Sequence, residues 1–559
     1  MSKDKKARPS TASASATPFL KFENWASKNE QKIFYTLLSL CVFLSLISFN
    51  ARISEAHDDA LYLEGGWRFV NEFPNYFYTQ NAPLYPLFLG VLIKLMGFKL
   101  IVFKLISLVL NALGFVLFFK AFKGRLPYMI FLPVAFFHAS NYLIMYYASM
   151  TFTEAFYFFL QGLFFFTAGK VIDLLEKNTP ELKSQYKLWL LFGLSLFLIS
   201  TAKSSAIVVI PAVVLYFIIQ KNWKALGYSV GAYLVFKLLY ELIVKSIWAA
   251  QNQFAGQSKI LLQKDPYDIS KGNEDAAGFI QRFVDNTNLS LSKRFYQILG
   301  WRDENSVEVY GLITLLTLSL ILFGFWKLYK KGNKLLVLAT LFSGAQLVLS
   351  YLILQTRWDQ PRITLVLMPV LLMLILYAFY AFTNNKGIGP TIYLVVVVMM
   401  CGSVLLSSLK RGTKNIPIVK KNLQGDKYYG YTPDWQNFLK CSEWCADSLP
   451  ASSLVASRKA PMSFVYGKGK KFFPIYSVIK KDSATNQSNP DSALAFFKEK
   501  KVTHIMLGTL RLDPNNPGNG FINTVHNIAA PIAEKYPEKL KLVHIEGQFE
   551  EAAVYEIVY

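Results

Sequence analysis

The chain has 559 residues, of which 53% are hydrophobic, 16% aromatic and only 17% charged. A soluble enzyme carries about 25% charged residues, so this composition excludes a soluble globular protein. The formal net charge of +23 does not point to nucleic acid, because Leu409 to Tyr559 holds 21 basic and 14 acidic residues and therefore only +7 of it. The rest of the excess lies in the apolar part, where short basic loops set membrane orientation.

The apolar residues fall in runs of about 20, the length that crosses about 30 Å of hydrocarbon. Lipid offers the backbone no hydrogen bonds, so the spans are helices. Met1 to Lys32 reads as a disordered cytoplasmic arm ending in an amphipathic piece, Phe19 to Trp25. Eleven spans are expected, at 33–50, 99–119, 127–146, 154–174, 187–202, 205–220, 225–248, 308–327, 335–355, 362–382 and 389–408. The segments Lys120 to Arg125, Lys221 to Lys224, Lys327 to Lys334 and Thr383 to Gly387 carry Lys or Arg and no acid. That bias puts the N-terminus in the cytoplasm. With an odd number of spans, the C-terminus lies outside.

A transmembrane domain is therefore expected over 33–408, with outer loops at 51–98 and 249–307. Within the first loop, Pro83 to Gly97 is apolar but short, and reads as a helix lying in the interface. From Leu409 onwards charge rises and the apolar runs shorten. Strands are expected at 453–457, 503–507, 540–545 and 552–558, and helices at 434–449, 491–501 and 521–536. This alternation suggests a soluble extracytoplasmic α/β domain over 409–559. Cys441 and Cys445 sit one helical turn apart and could bridge in an oxidising compartment. No nucleotide-binding or metal-finger motif and no internal repeat is present.

The stretch His57-Asp58-Asp59-Ala60-Leu61-Tyr62 follows the first span. Adjacent carboxylates beside apolar surroundings are often tuned for proton work or cation binding; they also make good starts for a helix. The topology places Asp58, Asp59, Thr151 to Glu154, Lys203 to Ser205 and Arg357 to Arg362 on one side of the membrane. Charges of both signs gathered at helix ends on one face suggest a shared cavity.

In order, these elements resemble the GT-C superfamily. The carriers of the likeness are His57 to Tyr62, then Ala82-Pro83-Leu84-Tyr85-Pro86, Gly97, Thr153-Glu154, Thr201-Ala202-Lys203, and Pro361-Arg362 with Pro369. The bacterial members are polyprenyl-phosphate-sugar glycosyltransferases related to protein O-mannosyltransferases and to the lipid A aminoarabinose transferase. The family often has Asp-Glu where this chain has Asp58-Asp59. The resemblance implies transfer of one sugar, with inversion, from a polyprenyl-phosphate (in bacteria undecaprenyl phosphate) carrier to a lipid, protein or wall-polymer acceptor outside the cytoplasm. The setting it suggests is the bacterial inner membrane.

Within that reading an acceptor hydroxyl needs a base, and Asp58 is the candidate, with Asp59 and Glu154 as companion carboxylates. The leaving phosphate needs charge stabilisation, for which Lys203, Arg357 and Arg362 are candidates. Tyr62, Tyr85 and His138 are candidate substrate contacts. Asp58, Asp59 and Glu154 could take a divalent cation, although the chemistry requires no cofactor. The alternative is a transporter or lipid flippase that uses the same charged outer cavity without breaking a bond.

Overall fold

The computed structural model describes residues 18–54, 57–177, 185–248, 260–268, 271–384, 387–482 and 485–559. Most of the N-terminal arm, part of the second outer loop and parts of two loops between spans lie outside these residues. The amphipathic piece expected at Phe19 to Trp25 is a helix, Pro18–Lys28. Phe19 is buried and stacks on Tyr380 at 5.4 Å, with Tyr393 edge-on at 5.7 Å. The Glu23 carboxylate accepts from the free backbone N–H groups of Tyr128 and Met129 at 2.8 and 2.9 Å, satisfying a helix start.

Each expected span is present as a helix or a broken helix. Among the described residues six helices are long and apolar enough to cross a membrane, seven if Tyr128–Ser140 and Tyr142–Ala148, bent by 47°, count as one. Tyr186–Ala202, Ser204–Ile219 and Met368–Thr383 are shorter apolar helices, and Trp223–Trp248 carries Lys237, Glu241 and Lys245. Where helices cross closely, glycine permits it, as is usual for membrane packing. A Cβ on Gly162 would lie 2.8 Å from the Gly114 carbonyl, and one on Gly114 2.9 Å from the Phe158 backbone. This contact locks Thr153–Glu176 against Leu100–Phe122.

Two helices follow the first span. His57–Asn71 has Asp58 and Asp59 in its first turn and Arg68 in its last, the charge order its dipole favours. Leu84–Met96 matches the expected interfacial element and stops at Gly97, whose φ of 73° suits glycine. The two pack through Gly66 and Gly90: a Cβ on Gly66 would sit 2.9 Å from the Gly90 nitrogen.

The sequence-based domain boundary at 409 falls inside one helix, Gly389–Leu423. The rise in charge marks where that helix leaves the apolar zone, not where it ends. The soluble domain begins beyond it and holds a five-stranded mixed sheet, ordered β2-β1-β3-β5-β4. The strands are β1 Val455–Ser457, β2 Phe472–Pro474, β3 His504–Gly508, β4 Leu540–Glu546 and β5 Ala552–Ile557. β2, β1 and β3 run parallel, and β5 is antiparallel to β3 and β4. One face packs on Pro490–Glu499 and His526–Lys535 through Ala456, Ile505, Phe497 and Ile528. The other packs on Pro433–Ser448 and Ala460–Tyr466 through Val455, Met506, Val554 and Phe438, and this core runs on into the membrane domain. β2 and Ala460–Tyr466 had no signal in the sequence pattern, being only three and seven residues long. Cys441 and Cys445 are both free and buried; they share one helix, whose rigid backbone holds them apart.

Candidate active site

The soluble domain sits directly on the His57–Asn71 helix. Phe464 packs edge-on against Trp67 at 5.1 Å. Tyr431 donates to the Ser54 carbonyl and pairs with the Tyr466 hydroxyl at 2.7 Å. Arg52 donates to the Gly430 carbonyl at 2.9 Å. The first turn of that helix is thereby held between membrane helices below and the sheet domain above.

Asp58 forms an ion pair with Arg362. The Arg362 guanidinium also lies 5.1 Å from the Phe152 ring centre, just before the Thr153–Glu176 helix. The charge of Glu154 acts on Arg362 as well. Glu154 is fully buried and accepts from Lys203 at 3.0 Å through Oε1; its Oε2 has no protein partner. Burial opposes ionisation of Asp58, but Arg362, His57 and Lys459 together outweigh it and hold its carboxyl below the usual range. Asp58 is therefore ionised at neutral pH. Burial pushes the neighbouring His57 imidazole down to about 4, so it is uncharged there.

Asp59 turns the other way. It is buried, accepts from Ser54 Oγ at 2.7 Å and from the Ala60 N–H at 2.8 Å, and feels the charge of Lys104. Lys104 donates to the Asn50 carbonyl at 3.0 Å and to that of Arg52. These contacts anchor the loop that precedes Asp58.

The other candidates divide. Tyr62 and Tyr85 are buried beside the pair, edge-to-face at 5.5 Å, and the Asn81 amide reaches the Tyr62 hydroxyl at 3.4 Å. Both rings are close enough to Glu154 to sense its charge. Arg357 pairs with Asp265 at 2.9 Å and lies 5.7 Å over Tyr267, on the outer rim and half exposed. His138 is not at the site: it is enclosed by Phe115, Phe118 and Phe158 at 5.8, 5.4 and 5.2 Å. Neither of its ring nitrogens has a partner. Among the described residues no group of three or more His, Cys, Asp or Glu side chains converges as a metal cage, and Asp58 and Glu154 each face a cation already.

Several site residues had no motif to reveal them. Arg458 and Lys459, between β1 and the Ala460–Tyr466 helix, act electrostatically on His57, and Lys459 on Asp58. Arg458 lies over the rings of Tyr267 and Tyr476 at 5.7 and 5.8 Å, and Tyr476 meets His57 Nε2 at 3.4 Å. Three regions, the first loop, the second loop and the sheet domain, thus close over Asp58.

The fold has counterparts among solved structures. The oligosaccharyltransferase of Archaeoglobus fulgidus, solved with a tethered acceptor peptide containing the NVT sequon, aligns with a TM-score of 0.54 and 10% identity over 96% of this chain and 75% of its own. ArnT from Cupriavidus metallidurans in the apo state aligns with a TM-score of 0.54 and 11% identity over 95% of this chain and 98% of its own. The same ArnT bound to undecaprenyl phosphate gives 0.52 and 10% over 94% and 98%. The chain has the GT-C membrane fold. No family model and no curated protein sequence matches it, so the GT-C likeness is one of backbone architecture. It extends over the sheet domain as well as the membrane helices, since each alignment spans nearly the whole chain.

Proposed function

We propose that this protein is a membrane glycosyltransferase that moves a single sugar from a polyprenyl-phosphate donor to an acceptor on the side of the soluble domain. The observation that carries the reading is the convergence of Asp58 with Arg362 and of Glu154 with Lys203 in one cluster of helix ends. A lipid-linked donor keeps its tail in the bilayer and presents its phosphate at that level. Arg362 and Lys203 supply positive charge for the phosphate as the glycosidic bond breaks. Asp58, already ionised, accepts a hydrogen bond from the attacking hydroxyl, orients it, and takes its proton as the new bond forms. Attack from the face opposite the phosphate inverts the anomeric carbon. The unpartnered Oε2 of Glu154 is a second acceptor for a sugar or acceptor hydroxyl. Tyr62 and Tyr85 form the apolar wall against which a sugar face packs. No step needs a metal.

The likeness to a structure that holds undecaprenyl phosphate supports the lipid-phosphate donor. In this reading the protein spans a bacterial inner membrane, with its N-terminus in the cytoplasm and its sheet domain outside. A transporter would need a polar path between the two faces. Lys104, within a span, is bound to carbonyls near the site and Lys237 pairs with Glu241 at 2.6 Å, so neither is free to line such a path.

Mass spectrometry of glycolipids and glycoproteins from cells with and without the gene tests the proposal. One acceptor class should lose a single-sugar mass while the polyprenyl-phosphate sugar accumulates. Identical profiles would oppose it.

A further inference from the structure

Around this face five described cations of the membrane domain pair with carboxylates, while Lys104 and Arg52 donate to backbone carbonyls. Arg362 pairs with Asp58, Lys203 with Glu154, Arg357 with Asp265, and Lys293 and Arg294 with Asp359. Two cations from the soluble domain break this pattern. Among the described residues no carboxylate lies within ion-pair distance of Arg458 or Lys459, although both are half-buried. The Arg458 Nε is buried without a hydrogen-bond partner, and so is His57 Nδ1 next to it. Rings take the place of counter-charges: Tyr267 and Tyr476 by Arg458, and Trp435 at 5.8 Å from the Lys459 ammonium.

Withdrawing a cation from water without a counter-ion is unfavourable. With only the charge of Asp58 acting on Lys459 from beyond ion-pair distance, two adjacent cations at a site rim are best explained by a ligand that supplies further negative charge. Their place in the fold agrees. They follow the C-terminal end of β1, a parallel strand, where α/β sheets bind ligands. One presents a fork of donors and the other a point charge, the combination that suits a planar or tetrahedral oxyanion.

Sidedness separates this anion from the donor phosphate. Arg362 and Lys203 project from membrane helices, where the phosphate of a lipid must remain. Arg458 and Lys459 belong to the sheet domain, and Lys459 acts on Asp58 from there. An anion that meets them arrives with the other substrate.

We propose that Arg458 and Lys459 form a subsite for an anionic group, a phosphate or a carboxylate, carried by the acceptor near the hydroxyl that attacks. The sheet domain then selects the acceptor, and neutral glycans are poor substrates. This assignment rests on the transferase reading for the word acceptor, but the anion site itself is measurable without turnover.

The test is binding to the purified full-length protein in neutral detergent, by calorimetry, with four probes: glucose, glucuronate, glucose 1-phosphate and farnesyl phosphate. Wild type should bind glucuronate or glucose 1-phosphate at least about tenfold more tightly than glucose. Whichever anion is preferred identifies the group. Arg458→Gln with Lys459→Gln should abolish that preference and leave farnesyl phosphate binding within about twofold, while Lys459→Arg should retain it. Equal binding of glucose and both anions by wild type would overturn the proposal, as would an unchanged preference in the double variant. Loss of farnesyl phosphate binding alone would assign the pair to the donor instead, and would also overturn it. If the double variant does not fold, wild-type discrimination and the two single variants decide. Anion discrimination without sugar transfer from any polyprenyl-phosphate donor would reject the transferase reading and leave the anion site standing.

Discussion

Asp58 and Arg362 stand 304 positions apart in the chain and form an ion pair. The pair joins the first outer loop to the short Pro361–Leu365 helix. Because Arg362 also lies over Phe152, it ties both to the start of the Glu154 helix. One guanidinium therefore ties together the Asp58 turn, the Pro361–Leu365 helix and the start of the Glu154 helix.

Arg362 is the strongest of the charges that hold Asp58 ionised against its burial. In Arg362→Gln, burial is less opposed and the Asp58 carboxyl rises. The acid limb of the pH–rate profile should move to higher pH by roughly one unit or more, on top of a fall in rate. Because the folded value is depressed, the pair's contribution to stability is present at neutral pH and is lost as pH falls through that depressed value. An acid limb that stays in place in the variant would remove Arg362 from control of Asp58.

Glu154 is fully buried and its ion-pair partner is Lys203. Lys203→Met leaves the carboxylate without its counter-ion, which should destabilise the fold by about 3–5 kcal/mol. Combining it with Glu154→Gln should recover part of that loss, because the charge needing a partner is gone. Thermal unfolding of the two single variants and the double variant gives the coupling; strict additivity would mean the two side chains act independently.

The Gly114–Gly162 contact leaves no room for a side chain. Gly162→Leu should force apart the helices that carry Lys104 and Glu154, and yield should fall sharply with loss of a monodisperse peak in detergent. Gly227, on Trp223–Trp248, has open space around its missing Cβ. Gly227→Leu should express normally, which separates packing from mere hydrophobicity.

Burial, with Arg458 beside it, pushes the Lys459 ammonium down to about 8 while Asp58 holds it up. Affinity for the anionic probe should weaken as pH rises through about 8, with Arg458, Asp58 and His57 as the charged or titratable groups facing it. Lys459→Arg should flatten that dependence, since guanidinium does not titrate there. A pH-independent affinity in wild type would place the anion elsewhere.

The membrane fold was legible because hydrocarbon imposes length and apolarity on each span, and the positions of the eleven runs survive in the structure even where helices bend or shorten. Asp58, Glu154, Lys203 and Arg362 were legible because acids and bases at helix ends stand out against an apolar background. His138 stood out for the same reason, but the structure places it among three phenylalanines, apart from the other candidates. Asp59 was legible as a residue but not as a role, since helix geometry sends neighbouring side chains in different directions. Arg458 and Lys459 were hidden in a domain full of ordinary surface lysines. Only the docking of the Ala460–Tyr466 helix on Trp67 gives them a site, and no local pattern encodes that contact.

Asp58→Asn tests the central claim most directly. The change keeps the shape of the side chain and removes its charge. Cells lacking the gene would be complemented with wild type or the variant at matched membrane levels, and their glycolipids and glycoproteins compared by mass spectrometry. The account predicts a folded, membrane-inserted variant whose single-sugar product falls by about 10²–10⁴-fold. Product at the wild-type level from Asp58→Asn would contradict it.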